Sequence, residues 1–260
     1  GARCRRGGGG CGCGGAALRP YWQSEDGMIR VFCAKYEDVL AAGVVDVPRV
    51  ALIHDDPPYG IDEPTDRRGR SRPTSKWATN SVFPKIEGDD QPFDPAPLLA
   101  LHRPLVTWGA NHYADKLPPS PAWITWDKRD GDRSNTNSDS ELAWSNIGAS
   151  VRTFRHLWMG LCRASEAGDR VLAPTQKPIE LCSFVYRFAR LKPGDLVFVP
   201  HGGSGPDLPA CRAAGLRLAW VECERSYCDT AIARLGAVTR ERAAEPVGPL
   251  FAMPAQVPAS

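Results

Sequence analysis

Residues 50–54 (Val-Ala-Leu-Ile-His) are an apolar run that passes directly into Asp55-Asp56-Pro57-Pro58-Tyr59-Gly60. Such a run reads as a buried strand, and the two prolines stop it from continuing as strand or turning into helix. Acidic, rigid and aromatic residues are thereby fixed at the carboxyl end of a strand. Open α/β sheets bind their ligands at that edge.

The rest of the chain fits the same frame. Residues 104–108 and 122–126 are further strand candidates. Residues 179–190 have helical spacing, with Leu181, Phe184, Val185 and Phe188 on one face, and they follow Pro178, a good first-turn residue. A turn at 191–195 leads to a strand over 196–199, then Gly202-Gly203-Ser204-Gly205 and a helix over 208–214 that Gly215 ends. A strand over 218–221 carries Glu222 at its tip, and 227–235 closes the pattern as a helix. Short strands alternating with helices predict one α/β domain. Its expected bounds are 28–236, with a disordered glycine-rich leader over 1–27 and a disordered tail rich in Pro and Ala over 237–260.

The formal net charge is only +2, so nucleic-acid contact has to come from local basic patches rather than a global field. No apolar run approaches the roughly 20 residues of a membrane span, and the amino end lacks the apolar core of a secretory signal. The expectation is a cytoplasmic protein without a membrane partner. The nine cysteines include no CxxC pair and none at metal-site spacing with a histidine, so no metal is expected.

Taken together, these segments resemble the amino-group DNA methyltransferases, N6-adenine and N4-cytosine, in the permuted order with the catalytic motif ahead of the cofactor motif. Asp56-Pro57-Pro58-Tyr59-Gly60 matches the catalytic motif, and Thr175-Gln176-Lys177-Pro178 the segment before the helix that precedes the cofactor strand. Residues 197–205 (VFVPHGGSG) match the glycine-rich cofactor turn, and Val221-Glu222-Cys223-Glu224 the acidic end of the next strand. Residues 108–113, 123–128 and 138–144 resemble segments of small phage-type members, some of which belong to restriction-modification systems.

The resemblance implies a Rossmann-like methyltransferase fold with a mostly parallel seven-stranded sheet, S-adenosylmethionine as cofactor and double-stranded DNA as partner. It leaves a homodimer open. The catalytic residues it implies are Asp56, Pro57, Pro58 and Tyr59. An exocyclic amine is a poor nucleophile because its lone pair is delocalised into the ring. An acceptor at Asp56 and a backbone carbonyl fixed by the prolines would hold both amine hydrogens and turn the lone pair toward the methyl group. Tyr59 offers a face for a flipped-out base. Cofactor-binding residues are Asp55, Thr175, Lys177, His201, Gly203, Ser204, Gly205 and Glu222, with Glu222 placed to accept from ribose hydroxyls. The basic loop with Arg67, Arg68, Arg70, Arg72 and Lys76 is the expected DNA contact.

The cofactor turn departs from the family pattern. Val199 stands at the acidic position, His201 at the aromatic one and Pro206 at the threonine. Asp55 is one candidate to replace the lost acid. Aspartate before Pro-Pro-Tyr favours adenine over cytosine. Three alternatives stay open: N4-cytosine specificity, a decayed relative that only binds DNA, and an RNA or protein-amide substrate. About 30 residues separate Trp144 from Thr175, against the roughly 100–150 of an added domain, so recognition should be short or relaxed. Trp108, Trp123, Trp126, Trp144 and Trp158 read as core residues.

Overall fold

The computed structural model describes residues 18–65, 83–129, 138–159, 162–169 and 171–244. In chain order the strands are β1 (Trp22–Gln23), β2 (Ile29–Cys33), β3 (Val50–Asp55), β4 (Leu105–Trp108), β5 (Ala122–Asp127), β6 (Ser140–Ser145), β7 (Arg152–Arg155), β8 (Trp158–Met159), β9 (Cys162–Arg163), β10 (Leu196–Val199) and β11 (Arg217–Glu222). The helices are α1 (Tyr36–Ala41), α2 (Ala96–Leu99), α3 (Ile179–Phe188), α4 (Asp207–Ala214) and α5 (Arg225–Ala244).

Nine strands form one sheet in the order β1-β2-β11-β10-β3-β4-β6-β5-β7, and β8 and β9 pair separately. The centre, β2-β11-β10-β3-β4, is wholly parallel. Its strands are apolar on both faces, as a sheet covered on both sides requires. In β11, Leu218 and Trp220 face the core formed with Leu181, Val185, Leu208 and Ala231 of α3, α4 and α5. Ala219 and Val221 face the opposite core, with Tyr36 and Val39 of α1 and Leu98 of α2.

Strands β3 and β10 lie side by side, yet the chain leaves β3 for β4 on one flank and β10 for β11 on the other. This reversal is a topological switch point, and it opens a crevice at the carboxyl ends of the two strands. The Asp56 motif leaves β3 on one side of the crevice, and the glycine-rich turn leaves β10 on the other.

The sheet differs from the expected seven strands at its margins. Strand β1 has two residues, and β7 is largely exposed, so neither carries the apolar pattern that marks a strand in sequence. The folded chain also begins ahead of Met28. Trp22 pairs with Val31 and packs against the core, and the Ser24 hydroxyl accepts from the backbone of Ile29. Helix α5 runs to Ala244, beyond the expected end at 235. Helix α3 begins after Pro178 and α4 ends at Gly215, with φ +65, as read from the sequence.

Candidate active site at the strand ends

Asp56 follows β3 and is held from two sides. Its Oδ1 accepts from Lys177 Nζ at 2.5 Å and from the Tyr59 hydroxyl at 2.8 Å. Lys177 precedes α3 and is 5 % exposed, and its ammonium also reaches Tyr59 Oη at 3.0 Å and Glu141 Oε2 at 3.2 Å. Glu141, on β6, accepts from Lys128 Nζ at 3.0 Å through its other oxygen. Two lysines and two carboxylates thus form one network around a tyrosine.

The charges set the proton affinities. Burial pushes the Asp56 carboxyl up, and although Lys177 opposes this, the net shift is upward. Burial also works on Glu141, but Lys177 and Lys128 outweigh it and bring its pKa down to about 2. Burial disfavours the Lys177 ammonium, yet Asp56 and Glu141 raise its pKa above the usual lysine value.

The Tyr59 ring is fixed by its surroundings. A Cβ on Gly109 would lie 2.1 Å from Tyr59 Cε1, so only glycine fits beneath the ring, and Gly109 has φ +67. The His112 ring stacks against Tyr59 with centroids 5.3 Å apart and planes 15° apart. The loop after the motif is anchored by Asp89, which is 3 % exposed. Its carboxylate accepts from the backbone N–H of Gly60 at 2.9 Å and of Glu63 at 2.6 Å.

Across the crevice, the backbone of the glycine turn comes close to its supports. A Cβ on Gly202 would lie 1.9 Å from the Trp220 ring, and one on Gly205 would lie 2.3 Å from the Ala231 Cβ. Gly203 is different, because its φ is +53 and its Cβ position faces open space. Glu222 Oε2 accepts from the Gly203 N–H at 2.9 Å, which ties the turn to the tip of β11.

His201 Nδ1 lies 2.7 Å from Asp55 Oδ1. Burial disfavours the imidazolium, but the Asp55 charge and hydrogen bond outweigh it and raise the His201 pKa above 6.5. Asp55 itself is 0 % exposed, with Thr107 Oγ1 at 3.3 Å from its second oxygen.

Two cavities open here. The larger, about 630 Å³, is lined by Tyr59, His112, Trp126, Lys128, Glu141 and Trp158, among others. The narrower lies between the two strand ends and includes Asp56, His201, Gly203, Ser204, Asp207 and Glu222. It encloses about 120 Å³, below the roughly 300 Å³ at the low end of ligand pockets, so a nucleoside-sized ligand extends beyond it along the crevice. Tyr59, Thr175 and Lys177 line both.

Most residues singled out in the sequence converge here, with three differences. Asp55 does not line either cavity, because His201 and Thr107 occupy its oxygens in the interior. Gly205 packs on Ala231 rather than facing the crevice. The Lys177 ammonium serves Asp56 and Glu141. Arg67, Arg68, Arg70, Arg72 and Lys76 lie outside the described residues. Trp126 and Trp158 are buried core residues that also wall the larger cavity.

Glu141, Asp89 and His112 were not assigned roles from sequence. Glu141 lies in a segment singled out from sequence, but its partners follow from the β6–β5 register, which sets it near Lys128, and from the approach of Lys177 ahead of α3. Among the described residues, His54, Cys182 and Asp207 are grouped closely enough to hold a metal ion. Both His54 nitrogens are already hydrogen-bonded, however, to Asp207 and to Trp108 Nε1.

No family model matches the chain. Among solved structures, it is similar to the PvuII DNA methyltransferase, described as cytosine-N4-specific, with 10 % identity and a TM-score of 0.53 over 85 % of this chain and 93 % of that one. It also aligns with M1.HpyAVI in complex with S-adenosylmethionine, at 20 % identity and a TM-score of 0.48 over 80 % of this chain and 100 % of that one. The chain has the α/β fold of a DNA methyltransferase.

Proposed function

We propose that this protein is a DNA methyltransferase that uses S-adenosylmethionine to methylate an exocyclic amino nitrogen, N6 of adenine, in duplex DNA. The observation that carries the reading is the Asp56–Tyr59 motif, set at the switch point opposite a glycine turn, between two cavities that share Tyr59, Thr175 and Lys177 as a wall. A base in the larger cavity and a methyl donor in the narrower one would meet at that wall.

The residues of the narrower cavity suit the cofactor. Gly203 leaves room where a side chain would stand, and Glu222, whose oxygens already accept from the Gly203 and Glu224 N–H groups, lines the cavity at the tip of β11 with further lone pairs for ribose hydroxyls. When bound, the cofactor supplies an electrophilic methyl group on sulfonium. Asp56 Oδ1 is occupied by Lys177 and Tyr59, which leaves Oδ2 to accept from the amine. The nitrogen that gains a methyl group must shed a proton, and Asp56, its pKa raised by burial, is the base placed to take it. Pro57 and Pro58 fix the backbone that presents a second acceptor. Tyr59 provides the stacking surface for the flipped base, and Trp126 and Trp158 enclose it. The stretch between Trp144 and Thr175 leaves little room for an inserted recognition domain, which supports a short or relaxed target site.

Aspartate at 56 favours adenine. The test is mass spectrometry of nucleosides from duplex DNA treated with protein and S-adenosylmethionine. N6-methyladenine is the expected product, whereas N4-methylcytosine alone would defeat the adenine assignment. A second reading, a relative that binds DNA without catalysis, is favoured by Val199, which is buried where the family carries an acid, and by the narrowness of the cofactor cavity.

A further inference from the structure

The narrower cavity is lined by a buried carboxylate that, among the described residues, has no cation beside it. Asp207 opens α4 and is 4 % exposed. Its Oδ1 accepts from the Tyr186 hydroxyl at 2.5 Å and lies 2.7 Å from His54 Nδ1. The other ring nitrogen, His54 Nε2, accepts from Trp108 Nε1–H at 2.9 Å. An indole N–H only donates, so the imidazole carries its single proton on Nδ1 and is neutral. The partners of Asp207 are therefore neutral donors, helped by the amino end of a short helix.

The buried cations at this end of the sheet are committed elsewhere. Lys177 bridges Asp56 and Glu141, and Arg234 contacts Glu166 and the Ser204 carbonyl. Burial penalises charge on Asp207, and the hydrogen bonds from His54 and Tyr186 favour it. A buried anion without a cation is costly, and here it stands on the wall of a cavity.

We propose that Asp207 meets the methionine ammonium of bound S-adenosylmethionine, taking the part of the acid that Val199 displaces. The inference rests on the methyltransferase reading. Asp55 cannot fill this part, since it is fully buried outside the cavity with His201 on its carboxylate. Asp207 shares the cavity wall with Gly203 and Ser204 of the cofactor turn. The amino-acid end of the cofactor then lies toward α4, and the ribose lies toward Glu222.

Isothermal titration of the full chain tests this with three probes: S-adenosylmethionine, S-adenosylhomocysteine and 5′-methylthioadenosine. The first two carry the ammonium, and the third lacks the whole amino-acid part. Asp207→Asn should weaken both ammonium-bearing probes by about 30-fold or more and leave methylthioadenosine within about threefold. Without ligand, the variant should melt no lower than the wild type, since asparagine still accepts hydrogen bonds and the unpaired charge is gone. Unchanged affinity for S-adenosylhomocysteine would overturn the proposal, as would an equal loss of all three probes or a variant that is unfolded. Stabilisation of the wild type, and not of Asp207→Asn, by zinc alone would make a metal the missing cation and would also overturn it. A wild type that binds none of the three nucleosides would instead remove the methyltransferase reading beneath it.

Discussion

The ammonium of Lys177 lies 2.5 Å from the Asp56 carboxylate, although 121 residues separate them. One comes from the approach to α3 and the other from the end of β3, so the contact exists only once the parallel sheet is assembled. It fixes the orientation of the acceptor and moderates the upward pull of burial on its pKa.

Lys177→Gln removes that moderation. The Asp56 pKa then rises further, and an activity that needs the carboxylate ionised is lost at a higher pH on the acid side. The pH profile of kcat/KM should show its acid limb displaced upward. Loss of the cation also leaves the partly buried carboxylates of Asp56 and Glu141 without their shared partner, for a stability loss of about 1–2 kcal/mol in urea unfolding. An unmoved acid limb would show that Lys177 does not act through Asp56.

Glu141 makes a separate prediction about stability. Its folded pKa of about 2 lies below the ordinary 4.5, so its contribution is present above about 4.5 and is lost as pH falls toward 2. Glu141→Gln should therefore be less stable than the wild type at neutral pH, and the gap should close toward pH 2. Denaturant titrations across that range measure it. A gap that stays constant with pH would mean the carboxylate charge is not what the two lysines hold.

His201 behaves in the opposite sense. Its pKa is raised above 6.5 by Asp55, so its contribution to stability is full below 6.5 and declines as pH rises through the folded value. His201→Gln should be destabilised relative to the wild type at acid-neutral pH and should approach it on the alkaline side. Unfolding measured on both sides of that window, with the imidazole titration followed by NMR, decides the matter.

The three glycines of the turn after β10 should separate by role. Gly205→Ala places a methyl group 2.3 Å from the Ala231 Cβ at φ +70 and should cost about 2–3 kcal/mol. Gly202→Ala meets the Trp220 ring and belongs in the same class. Gly203→Ala meets nothing within 4 Å and carries only the backbone strain of φ +53, about 1 kcal/mol, so its main effect should fall on cofactor affinity. Unfolding and binding measured on the same three proteins would expose any reversal of that order.

Strands β3, β4, β10 and β11 of the parallel centre, and the crevice, were legible in the sequence because their signals are local, whereas β2 was not singled out. An apolar run ending in two prolines, a strand before glycines and an acid at a strand tip each mark a strand end without help from the rest of the chain. What the sequence could not show depends on pairing. The side-chain environment of Glu141 follows from the antiparallel register of β6 with β5. The neutral state of His54 follows from Trp108, 54 residues away in the chain. Asp55 looked available beside Asp56, but alternate residues of a strand face opposite sides, and this one points into the interior. The edge strands β1 and β7 carried too little apolar pattern to be read at all.

The most direct measurement is transfer of a labelled methyl group from S-adenosylmethionine to duplex DNA by the wild type and by Asp56→Ala, with cofactor binding measured on both. The wild type should bind and transfer, and Asp56→Ala should bind within about threefold but transfer at least about 100-fold more slowly. A wild type that binds the cofactor yet transfers nothing, or an Asp56→Ala protein as active as the wild type, would contradict the assignment of Asp56 as the acceptor that drives the reaction.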